Sequence, residues 1–163
     1  MSNPNVAQDN VRPGLKAGQA QEFTLIMNLK PGGAEGLRKK LASDSNFASK
    51  NQVVIDRVGT IHDFRFTIFD NDTRLLFAST FDGDWDAYIN DFAAIIPDLI
   101  DVAFGEVDDY PGIKHPKIKD YIVKHQITST YFYDAYPDTT VRDIRKAMKV
   151  KSGLDVLLDA ASS

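Results

Sequence analysis

The chain has 163 residues, 43% hydrophobic and 26% charged, enough to bury the core of one ordinary globular domain. Its net charge of −4 argues against a nucleic-acid surface, which needs a clustered excess of Lys and Arg. Cysteine is absent, which removes disulfides, thiolate nucleophiles and Cys-ligated metals and fits a cytoplasmic protein. No apolar run nears the ~20 residues of a membrane span, and the N-terminus lacks the hydrophobic core of a signal peptide.

Residues 1–21 are rich in Asn, Gln, Gly, Pro and Ala without apolar periodicity, and they read as a flexible arm. The single domain then runs over 22–163. Glu22 to Lys30 alternates as a first strand, with Phe23, Leu25, Met27 and Leu29 on one face and Thr24, Ile26 and Asn28 on the other. Pro31-Gly32-Gly33 ends it, and no Lys-Ser pair follows to make a phosphate loop. Ala34 to Leu41 is expected as a short helix with Leu37 and Leu41 inward. A polar break over Ser43 to Ser49 follows, and a second helical piece brings Val53, Val54 and Val58 toward the core before Gly59 stops it.

From Thr60 to Phe69 the period of two sets His62, Phe64, Phe66 and Ile68 against Ile61, Asp63, Arg65, Thr67 and Phe69. Asp70-Asn71-Asp72-Thr73 tolerates left-handed geometry and turns the chain into a third strand over Arg74 to Phe81. Asp82-Gly83-Asp84 closes it with carboxylates suited to a helix start. Trp85, Tyr88, Ile89, Phe92 and Ile96 then make an apolar stripe fit to cover a sheet. Residues 97–126 read as a helical insertion, Ile127 to Tyr136 as a fourth strand, and 139–163 as two C-terminal helices interrupted at Ser152-Gly153. Val141, Ile144, Ala147 and Met148 form the expected inward stripe of the first of these.

Strand, helix, strand, strand, helix, strand is the βαββαβ order of ferredoxin-like folds, so the expected class is α+β with a four-stranded antiparallel sheet. HDFRFTIFD and LLFASTFDGDWDAYINDF resemble strings in small proteins of the ferredoxin-like, dimeric α/β-barrel superfamily. The resemblance covers roughly Glu22 to Tyr136 and implies two sheets packed open face to open face, hence a homo-oligomer. It also implies oxidative chemistry or haem as an alternative, because the superfamily holds haem-binding peroxidase-like proteins and cofactor-free monooxygenases.

With helices on one side only, the bare sheet face becomes the expected binding surface, its mixed polar and apolar residues suiting a pocket. Ile26, Asn28, Arg65, Thr67, Tyr131 and Tyr133 are its candidate ligand-binding residues, with 97–126 as a lid. A small apolar or partly anionic molecule is the expected ligand, because an enclosed guanidinium needs a carboxylate partner. Asp63 is the alternative partner for Arg65. His62, Arg65 and Asp82 are the catalytic candidates, His62 serving as general base, haem axial ligand or a plain hydrogen-bonded imidazole. His115 and His125 lack metal-ligand spacing, so no metal site is expected. No constellation names a reaction. A ligand-binding protein, enzymatic or not, a haem protein of the same fold, and a non-catalytic assembly module all remain open.

Overall fold

Phe23, Leu25 and Met27 point the same way along one strand and form the floor of the core. The structure, a computed structural model, describes residues 14–42 and 47–162. Its strands are β1 (Lys16–Ala17), β2 (Ala20–Asn28), β3 (Ile61–Phe69), β4 (Arg74–Asp82) and β5 (Gln126–Ile127). Its helices are α1 (Gly33–Ala42), α2 (Phe47–Asp56), α3 (Trp85–Ile95), α4 (Pro97–Phe104), α5 (Ile118–His125) and α6 (Val141–Ala161). The class is α+β, with an open antiparallel sheet in the order β1-β2-β4-β3 and β5 on the same edge of β2 as β1.

Register decides the two faces. Phe23 lies opposite Ser79, Leu25 opposite Phe77 and Met27 opposite Leu75, while Phe64, Phe66 and Ile68 pair with the same three β4 residues. These side chains share one layer, and Leu37, Tyr88, Ile89, Phe92, Ile100, Ile113 and Ile122 pack on it from the helical side. The edge-to-face pair of Phe23 and Tyr88 and the stacking of Phe81 on Tyr88 at 3.9 Å add directional contact to the burial. Tyr88 also takes a hydroxyl contact to Ser79 at 2.6 Å, and Ser79 in turn donates to the Asp63 carbonyl. The buried hydroxyl is thereby satisfied, as a core tyrosine requires.

Several expectations are corrected here. Within the expected arm, residues 16–17 and 20–21 belong to the sheet, with Leu15, Ala17 and Ala20 buried; the arm's first thirteen residues lie outside the described ones. Gly18 turns that hairpin with a φ of +61°, and a β-carbon there would meet the Pro137 carbonyl oxygen at 2.1 Å. The start of the expected break at Ser43 to Ser49 lies outside the described residues, and α2 already begins at Phe47. Val53 faces solvent, because the turn of α2 that carries Val54 inward carries its neighbour outward.

The insertion 97–126 is no lid over the bare face. Its apolar stripes bury Ile100, Ala103, Phe104, Ile118 and Ile122 against the helix-covered side. Of the expected fourth strand only Ile127 is in the sheet, joined there by Gln126 from the end of the insertion, after which 128–136 leaves the sheet. The C-terminal segment is one continuous helix, not two, since a Cβ-free residue in an exposed helix costs only about 1 kcal/mol. Of its expected inward stripe only Val141 is buried. Among the described residues no helix is long and apolar enough to cross a membrane.

Candidate functional site

The face away from the helices carries Glu22, Thr24, Ile26 and Asn28 from β2, Leu76, Ala78 and Thr80 from β4, and Asp63, Arg65 and Thr67 from β3. Arg65 therefore looks out from the bare side and not from beneath the Trp85 helix. Its side chain is 66% exposed, with Asp63 Oδ1 at 3.6 Å. Ordinary alternation puts it there: Arg65 is two residues from Asp63 and opposite Ala78, while its neighbour Phe66 points to the other face and is partly buried.

Residues 128–136 cross part of this face as a strap, fastened by one carboxylate. Glu22 is buried; its Oε1 accepts the Ser129 amide at 2.8 Å and the Leu15 amide at 3.4 Å, and its Oε2 accepts the Thr24 hydroxyl at 2.9 Å. Gly14 N–H donates to Thr128 Oγ1, and Gln19 N–H to the Pro137 carbonyl, so the strap is tied at both ends to the β1–β2 hairpin. Among the described residues two backbone amides and a hydroxyl donate to this carboxylate, and bonds to an ionised acceptor are about twice as strong as neutral ones.

Between strap and sheet lies a cleft of about 280 Å3, lined by Glu22, Thr24, Asp63, Arg65, Thr80, Ser129 and the rings of Tyr131, Phe132 and Tyr133. The voids under the helices are about 20 and 30 Å3, room for roughly one water, and are packing gaps. Of the expected binding residues, Arg65, Tyr131 and Tyr133 meet at this cleft. Ile26, Asn28 and Thr67 lie on the same face but further toward the β3–β4 turn, where Ile26 and Thr67 both pair with Leu76. Glu22, Thr24, Thr80 and Ser129 were not among the sequence candidates. Alternation places Glu22 beside Thr24 and Ile26, so an acid opening a strand on the bare face was the available signal; Ser129 had none.

His62 and Ile61 both depart from their expected faces. A β-bulge between Ile61 and Asp63 inserts His62 as an extra residue, so Ile61 takes the position opposite Phe81 under the helices. The imidazole turns to Asp82, Nε2 to Oδ1 2.7 Å, in a largely buried pair. Asp82 Oδ2 accepts the Val141 amide at 2.7 Å, so this carboxylate holds the N-terminus of α6. The cap of the Trp85 helix is Asp84, whose Oδ1 accepts from Asp86 N–H and Ala87 N–H. His62 and Asp82 are thus brought together but do not line the cleft.

No family model, curated protein or solved structure matches this chain. The His62 imidazole is paired with Asp82 and does not line the cleft, so a haem held by His62 would lie outside it. His115 Nδ1 accepts from Lys117 N–H, and His125 Nδ1 donates to the Tyr121 carbonyl. No group of three metal-ligating side chains occurs among the described residues.

Proposed function

We propose that this chain binds a small organic anion in the cleft between strap and sheet. One observation carries the reading: an exposed guanidinium, Arg65, lines the cleft together with the exposed rings of Tyr131 and Tyr133. A guanidinium fork suits a carboxylate or phosphate, and tyrosine rings offer area to a planar or apolar body. Asp63 at 3.6 Å is a loose partner that a ligand anion can displace at little cost, because exposed pairs are worth about 0–1 kcal/mol. Glu22, held by its three donors, shapes the floor. No reaction is assigned to the cleft, since its lining supports recognition and His62 with Asp82 stands apart.

The frame for this site is best read as a variant of the ferredoxin-like pattern. The adjacency β5-β2-β4-β3, every neighbour antiparallel, supports it, and the β1 hairpin and α6 are additions. A barrel of two facing sheets would have to displace the strap from this face.

Saturation-transfer NMR with a panel of aromatic and aliphatic carboxylates tests the proposal. Carboxylates with a ring should show contacts that fall at least tenfold in affinity in Arg65→Ala and weaken in the Tyr131→Ala/Tyr133→Ala pair. Binding that is the same in both variants would place the site elsewhere, and no binding by any member would remove it.

A further inference from the structure

Helix α6 leaves the body after its first turn. Thr140 and Asp143 form a reciprocal capping box, Asp82 receives the Val141 amide, and Arg145 binds Asp56 at 2.7 Å. From Lys146 to Ala161 every residue is exposed. An isolated helix of that length containing Gly153 is marginal in water, so its apolar side chains call for a cover.

Those side chains are ordered. Ile144, Ala147, Lys151, Leu154, Leu158 and Ala161 recur at alternating steps of three and four, the seam of a helix pair, with Val150 and Leu157 widening one edge. Leu154 is 53% exposed, Leu157 68% and Leu158 55%. Charge divides along the same helix. Arg142, Arg145, Lys146, Lys149 and Lys151 occupy the N-terminal half against Asp143 alone, while Asp155 and Asp159 are the only charged groups beyond Lys151.

We propose that α6 pairs antiparallel with α6 of a second copy of this chain. Parallel pairing would lay five cations beside five cations. Antiparallel pairing lays the basic half of each helix along the acidic half of the other. The same register matches sizes: Ile144 faces Ala161 of the partner subunit, Ala147 faces the partner's Leu158, and Lys151 faces the partner's Leu154. Large opposes small in the outer layers, which lets two helices approach to the usual 8–10 Å. The single lysine in the seam costs stability but selects this register over shifted ones. The pair lies off the cleft, so dimerisation and ligand binding are separate properties.

Two measurements on the full chain test it. Sedimentation equilibrium should give twice the 18.2 kDa chain mass at micromolar concentration, and Leu154→Glu/Leu158→Glu should return it to one chain. Both positions are exposed, and the fluorescence of buried Trp85 verifies that the body stays folded. Because the chain lacks cysteine, Ala160→Cys and Ser152→Cys each take one spin label. Antiparallel pairing sets the two 160 labels about 22 Å apart along the axis, at 1.5 Å per residue, and the two 152 labels side by side. A parallel pair would bring both sets equally close and would overturn the proposal. So would a monomer at every concentration, a dimer indifferent to the double glutamate change, or a monomer whose α6 instead binds phosphatidylglycerol vesicles.

Discussion

The imidazole Nε2 of His62 lies 2.7 Å from Asp82 Oδ1, and the other oxygen of that carboxylate takes the Val141 amide. One side chain at the end of β4 therefore joins the β3 bulge to the start of α6. Asp82→Ala leaves a part-buried imidazole and a helix N–H without their acceptor and should cost about 1–3 kcal/mol. Asp82→Asn keeps one acceptor oxygen and should cost less. Urea unfolding followed by Trp85 fluorescence reads both, and equal midpoints in all three proteins would show that the link is not stabilising.

Glu22 plays the corresponding part for the strap. In Glu22→Ala the Ser129 and Leu15 amides lose their acceptor, and hydrogen exchange at both should quicken together while the β3–β4 amides keep their protection. Glu22→Gln, with one acceptor oxygen left, should fall between. Exchange that stays slow in the alanine variant would mean that other contacts hold the strap down.

The main hydrophobic cluster lies on the helical side. Leu37 is fully buried on α1, and Leu37→Ala should lose about 2–5 kcal/mol through transfer and cavity terms together. Val53→Ala, at a side chain that faces solvent, should stay within about 0.5 kcal/mol. Denaturation midpoints of the two variants that coincide would contradict the face assigned to α1.

Alkaline pH should separate the tyrosines. Burial raises the Tyr88 phenol well above its ordinary range, and burial with Asp101 beside it does the same for Tyr110. Burial, with Asp109 and Asp108 nearby, pushes Tyr121 up to about 12. A folded pKa above the unfolded value means that the unfolded chain releases its proton first. The stability these phenols contribute is then complete below about pH 10, the unfolded value, and is lost as pH rises toward about 12 and beyond. Absorbance at 295 nm should show part of the phenolate signal appearing only with unfolding, and full ionisation near pH 10 in a folded chain would refute it.

Gly153 meets nothing where a β-carbon would stand, and it sits mid-helix in α6. Gly153→Ala should strengthen the helix by about 0.5–1 kcal/mol, seen as greater ellipticity at 222 nm that persists to higher temperature. Lower helicity would mean that the chain bends at this residue.

Alternation along β2, β3 and β4 was enough to foresee which side of the sheet is apolar and that Arg65 stands on the other. Period two leaves little choice when one parity is almost wholly Phe, Leu, Met and Ile and the other mixes polar with apolar groups. The stripe of the Trp85 helix and the turn at Asp70-Asn71-Asp72 were equally local and equally legible; all three turn residues have positive φ. His62 was not, because a bulge adds one residue without any composition mark and reverses the facing of whatever it inserts. The strap was not either, since Tyr131 and Tyr133 alternate like a strand yet their segment is held by Glu22, more than a hundred residues away in sequence.

Local chemistry, then, was settled by the order of residues: where backbone turns, which parity is apolar, where a helix begins. What occupies each face was settled only in three dimensions, because the same apolar stripe is covered by the chain's own core, as in α4 and α5, or left uncovered by the chain itself, as in α6. Burial depends on which surfaces the folded chain can bring within reach, and that is a property of the whole arrangement rather than of any one segment.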